Sequence, residues 1–189
     1  EDIITIGMVW VDSDSGTPIK SVCFHVDRYL PGTERGAEQI RRILKATLFN
    51  SGYKGEVIFH NVNFDLPLLL AQFYDDVLNY KFRLKNFCQI WDTAALSRTL
   101  DNRKYIFHAD ESGRACHGLK YLVEEYFGIF YGDVVGKGNT REIPIKTLVD
   151  YNIEDCVHTL NLFFRLRDIA MSAGTQWDYF KTKEMPFIL

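Results

Sequence analysis

Val57-Ile58-Phe59-His60-Asn61-Val62-Asn63-Phe64-Asp65 is the stretch on which the fold turns. Three apolar residues after Gly55-Glu56 make a short buried strand. From His60 to Phe73 the chain passes into a helix, with Pro67 expected in a first turn that tolerates it. A carboxylate at a strand-to-helix junction sits at the mouth of a sheet, where α/β proteins place their ligands.

Upstream, Ile3 to Val11 is apolar and rich in β-branched residues, which predicts a strand. Asp12-Ser13-Asp14-Ser15-Gly16 is turn chemistry, and Lys20 to Asp27 alternates as an antiparallel partner. Pro31-Gly32-Thr33 breaks the pattern, and Ile40, Ile43, Leu44 and Leu48 then mark a helix over Ala37–Leu48. Downstream, Phe87–Trp91 reads as a strand and Thr93–Thr99 as a helix. Asp101–Arg114 is polar and loop-like. His117–Phe127 is an amphipathic helix with Gly128 as its C-cap. Gly132–Asn139 is a glycine-rich loop, and Pro144 to about Ala173 is a long helix. Strands first, then strand–helix alternation, predict a mixed α/β sheet with helices on its faces.

Composition bounds the function. The 189 residues are 47% hydrophobic and 25% charged, as in an ordinary folded domain with its own core. No apolar run approaches the ~20 residues of a spanning helix, and the start lacks the basic region of a secretory signal, so an intracellular protein without a membrane partner is expected. A net charge of −3 disfavours coating of duplex DNA but allows capture of a short nucleic-acid end. Cys23, Cys88, Cys116 and Cys156 form no CxxC, which argues for reduced thiols over a disulfide framework or zinc cluster.

A second stretch joins the first. In Tyr151-Asn152-Ile153-Glu154-Asp155, Tyr151 and Asp155 are four apart and project from one helix face. A phenol beside a carboxylate suits metal-assisted hydrolysis, the carboxylate holding a divalent cation and the phenol orienting water. Taken singly, each has a plainer explanation. Asp65 could be a helix N-cap, Tyr151 a half-buried core residue and Asp155 a solvated helix position. Their joint order and separation favour the site.

His60-Asn61-x-x-Phe64-Asp65-x-x-x-Leu69 resembles the second motif of the DEDD 3′–5′ exonucleases, and Tyr151-x-x-x-Asp155 resembles their third motif in its tyrosine form. Asp92-Thr93 and His117-Gly118-Leu119-Lys120-Tyr121-Leu122 are similar to intervening segments of that superfamily. Gly136-Lys137-Gly138-Asn139 and Lys183-Glu184-Met185-Pro186-Phe187 are similar to stretches of family A DNA polymerases, whose proofreading domain is the nearest likeness. The resemblance implies a ribonuclease H-like fold and removal of nucleotides from a single-stranded DNA 3′ end, with two Mg²⁺ or Mn²⁺ ions. It implies Asp65 and Asp155 as metal ligands and Tyr151 as the residue that positions water. Asn61 and Phe64 are candidate contacts to the terminal nucleotide, Phe64 by stacking or else by packing in the core. Lys137 could meet a phosphate. His117 is expected at a cap or on the surface, His158 falls outside the family's histidine position, and Trp10, Trp91 and the phenylalanines are expected in the core.

One departure stands out. The family's first motif, Asp-x-Glu on the first strand, is absent: Asp2-Ile3-Ile4 has Ile4 at the Glu position, and Asp12-Ser13-Asp14 falls in a turn. The expectation is that Ile3–Val11 is the second strand, that the first is missing, and that both ends belong to a longer protein. Residues 1–175 would then be the exonuclease domain, and 176–189 the start of a polymerase segment or a C-terminal helix. The alternatives are an RNase D-like enzyme that trims RNA and a catalytically dead binding or structural module of the same fold.

Overall fold

A computed structural model describes residues 3, 5–11, 18–27, 29–50, 52–53, 55–73, 89–101, 117–131 and 140–188. The turn at 12–16, most of the loop at 101–114, Cys88, Cys116 and the glycine-rich loop with Lys137 lie outside the described residues. The chain divides into two compact units. The first comprises Glu1–Glu56, Phe64–Gln89 and Asp133–Val157, and the second Val57–Asn63, Ile90–Gly132 and His158–Leu189.

The first unit is built on an antiparallel hairpin of β1 (Thr5–Val11) and β2 (Pro18–His25), in register from Thr5 opposite His25 to Trp10 opposite Lys20. Helix α1 (Glu34–Thr47) follows, and its sequence explains its placement. Ile40 and Leu44 recur at helical spacing and are buried together with Leu48, while Glu38 pairs with Arg42 on the exposed side. The polar Gln72, near the end of α2 (Val62–Phe73), ties that helix to the hairpin. Its amide accepts from the Ile3 N–H at 3.0 Å and donates to the Ile3 and Val26 carbonyls at 3.3 and 3.4 Å. Two expectations need correcting. Pro67 lies inside α2, past the first turn, because the helix already starts at Val62. Trp10 is exposed rather than in the core, since it stands at the far end of β1 beside the register shift between Trp10 and Val11.

In the second unit, β3 (Glu56–Phe59) pairs with β4 (Gln89–Asp92), and α3 (Thr93–Leu100) follows directly. Helix α4 (Leu119–Phe127) ends as the sequence predicts, with Gly128 at φ 66° in the left-handed conformation and its N–H on the Glu124 carbonyl. Helix α5 runs from Ile145 to Ser172, its residues up to Val157 counted in the first unit and those from His158 in the second. After it come α6 (Gln176–Tyr179), a π turn (Phe180–Glu184) and α7 (Met185–Ile188). An aromatic cluster forms this unit's core. Trp91 lies 5.3 Å from Trp177, 6.0 Å from Phe180 and 6.3 Å from Phe163, ring centre to ring centre. The fold is mixed α/β. Among the described residues, strand pairing stays within β1–β2 and within β3–β4.

Candidate active site

Asp65, Tyr151 and Asp155 all belong to the first unit. Asp65 lies in the first turn of α2, three residues beyond its start, so it is not the N-cap that a lone aspartate would suggest. Tyr151 and Asp155 are one turn apart on α5, and both are half-buried. Cys156 follows Asp155 on α5. Burial pushes its thiol up to about 12, and the negative charges of Asp155, Cys23 and Asp65 add to the effect. One thiol therefore feels both aspartates, from two different helices. The Oδ1 atom of Asp155 is itself buried.

The anchoring of α5 in this unit explains how its carboxylate is held. Gly7 faces the helix from β1, and a Cβ there would stand 2.7 Å from the Asn152 carbonyl oxygen and 3.0 Å from Cys156 Sγ. Only glycine allows so close an approach of strand to helix. Asn152, inside the Tyr151–Asp155 motif, donates from Nδ2 to Thr5 Oγ1. Cys23, opposite Gly7 in the hairpin, hydrogen-bonds Asn152 as well, although burial still raises its thiol. Asn152 thus fastens the segment between tyrosine and aspartate to both strands. A second tie precedes α5. Arg141 pairs with the buried Asp27 at 2.5 Å and covers the Tyr29 ring at 4.9 Å.

The turn before α2 is organised in the second unit by Asp92, which is 1% exposed. Its Oδ1 accepts from the N–H groups of Ala94 and Ala95, capping α3, and from that of Asn61 at 3.1 Å. Its Oδ2 accepts from the Val62 N–H at 2.9 Å. Asn61 has φ 67°, a left-handed conformation that asparagine tolerates better than most residues. His60 hydrogen-bonds Thr93 through Nδ1 at 2.8 Å. Burial lowers its pKa to about 4, with the Asp92 charge opposing, so the ring is neutral near pH 7.

The remaining candidates separate cleanly. Asn61 and Phe64 are exposed, and 54% exposure removes core packing as the explanation of Phe64. His117 hydrogen-bonds Ser97 at 3.0 Å. His158 is buried against the Tyr131 ring at 4.5 Å. Trp91 and Phe163 are buried as expected, but Phe127 and Phe130 are exposed. Sequence reasoning missed the roles of Gly7, Asn152 and Asp92. A glycine within a β-branched strand and an asparagine between two site residues were the available signals.

Oxygen ligands are what Mg²⁺ and Mn²⁺ select, so Asp65 and Asp155 fit such ions in kind. They fall short in number for two ions. Among the described residues no group of three His, Cys, Asp or Glu side chains is arranged to hold a metal. No helix among them is long and apolar enough to cross a membrane.

Comparison with known proteins agrees with the motifs. No curated protein matches the chain. A family model described as 3′–5′ exonuclease, and named for the exonuclease of family A DNA polymerases, matches residues 11–170. That span contains Asp65, Tyr151 and Asp155 and covers most of the sequence, and the chain belongs to the 3′–5′ exonuclease family.

Proposed function

We propose that this chain is a tyrosine-type DEDD exonuclease domain of ribonuclease H-like fold. It removes nucleotides from a single-stranded DNA 3′ end, as the proofreading domain of a family A-like polymerase. The observation that carries this is the family match over residues 11–170, a span that holds Asp65, Tyr151 and Asp155, with Tyr151 one turn before Asp155 on α5. Asp65 and Asp155 would hold the divalent ions. Bound Mg²⁺ or Mn²⁺ supplies Lewis acidity and offsets charge on the phosphodiester. The Tyr151 hydroxyl orients the attacking water, and the hairpin tie through Asn152 fixes the helix from which it acts. The exposed Phe64 ring offers a stacking face to an unpaired terminal base, and the exposed Asn61 amide a polar contact.

Digestion of matched 5′-labelled DNA and RNA single strands tests the reading, with Mg²⁺ or Mn²⁺ against EDTA. The expected result is a ladder shortening from the 3′ end, absent in EDTA and in Asp155→Ala. Preference for RNA would replace proofreading by RNA trimming. The second reading is a binding module of the same fold without hydrolysis. Strand binding with no cleavage in either metal would select it.

A further inference from the structure

We propose that Asp92 is a positioning residue of the exonuclease site, setting the start of α2 and hence the presentation of Asp65. The proposal rests on the reading of Asp65 as a metal ligand. The first N–H groups of any helix lack intrahelical partners, and the positive end of the helix dipole lies among them. Asp92 meets that need for two helices at once. It caps α3 through Ala94 and Ala95 at 2.8 and 3.1 Å, and it receives Val62, the first residue of α2, at 2.9 Å. The Asn61 N–H also points to it, with Asn61 in its left-handed conformation. Four backbone donors thus converge on one buried carboxylate.

The geometry divides the work between the two oxygens. Oδ1 takes three donors and Oδ2 only Val62. Asp92→Asn keeps shape and volume, and its remaining carbonyl oxygen still accepts from Ala94 and Ala95. Its amide nitrogen cannot accept from Val62, and two N–H groups would then face each other. The α3 cap survives while the hold on α2 is lost. Asp65 follows Val62 by three residues on the same helix, so a shift in the helix start moves its carboxylate. Loss of groups that orient metal ligands typically costs 10- to 100-fold in activity or metal affinity.

The experiment compares wild type, Asp92→Asn and Leu122→Ala, the last a destabilised control buried in the second unit and outside the site. Amide hydrogen exchange over residues 62–66 is measured alongside kcat and KM for strand cleavage at several Mn²⁺ concentrations. For Asp92→Asn the expected result is faster exchange confined to 62–66, kcat lowered ~10- to 100-fold, and KM within about threefold of wild type. Leu122→Ala should keep its kcat and its exchange over 62–66. Unchanged exchange in Asp92→Asn, unchanged kcat, or an equal kcat loss in Leu122→Ala overturns the proposal. A wild type that cleaves nothing overturns the exonuclease reading itself and this role with it, a result distinct from a cleaving wild type matched by Asp92→Asn.

Discussion

Among the described residues, Asp92 on the one hand and Asp65 and Asp155 on the other differ in their surroundings in a way that separates structure from chemistry. Asp92 is closed off and surrounded by backbone N–H donors. Asp65 and Asp155 stay half-buried and lie near enough to one thiol to raise its pKa. A carboxylate ringed by donors is a structural anchor. Carboxylates left half-exposed and able to act on one thiol remain available for chemistry, and a divalent cation would be held by such oxygen ligands.

The largest effect should come from breaking the second kind. Asp155→Ala and Asp65→Ala are each expected to lower metal-dependent cleavage by ~1,000-fold or more, the several kcal/mol that a catalytic metal contributes. Circular dichroism should show the fold retained, because neither side chain caps a helix. Cleavage at wild-type rates in either variant would remove that residue from the site.

Acid should strain the Asp92 side of the comparison. Above pH 6.5 His60 is neutral in both folded and unfolded chains and contributes nothing to the pH dependence. Below it the unfolded chain takes up a proton that the folded chain refuses until about pH 4. Stability should therefore fall across that window, by up to about 3 kcal/mol from this residue. Urea unfolding at several pH values, with His60→Gln as control, checks it. The control should show a smaller loss, and an identical one would assign the acid sensitivity elsewhere.

Gly7→Ala tests how firmly the hairpin sets α5. The new methyl would meet the Asn152 carbonyl, which is backbone and cannot swing aside. A destabilisation of about 1–3 kcal/mol is expected, read as a lower unfolding midpoint, together with reduced cleavage. Tyr151→Phe should be milder. Losing one oriented hydrogen bond costs ~1 kcal/mol, so kcat should fall about tenfold or less, with Mn²⁺ affinity by titration calorimetry unchanged.

What could be read from the sequence follows from range. The β1–β2 hairpin, α1, the Gly128 cap and the Tyr151–Asp155 face are written in local periodicity and turn chemistry, and they are present in the structure. Asp65 was legible as a junction carboxylate for the same reason. The contacts that hold these groups are long-range. Gly7 meets Asn152 across most of the chain, and Asp92 reaches back to Val62 across a whole strand and helix. Neither pairing leaves a mark in local spacing. The position of Pro67 was misjudged because Asp92 stabilises a helix start at Val62, placing the proline beyond the first turn.

The smallest expected effect is also the one that reads the comparison without any catalysis. Cys156 is held in its thiol form at neutral pH by burial first, then by the charges of Asp155 and Asp65. Only thiolate reacts with iodoacetamide, so alkylation of Cys156 in EDTA should be slow and should rise with pH well beyond the range of an ordinary cysteine. Asp155→Asn removes the negative charge with the larger influence on that thiol and should speed alkylation several-fold. Asp65→Asn should do so less, in keeping with its weaker influence on that thiol. Mass spectrometry of the peptide containing Cys156 separates its signal from those of the other three cysteines. If Asp65→Asn left the rate untouched while Asp155→Asn raised it, the two carboxylates would not share one neighbourhood. The acidic site would then reduce to the single aspartate on α5.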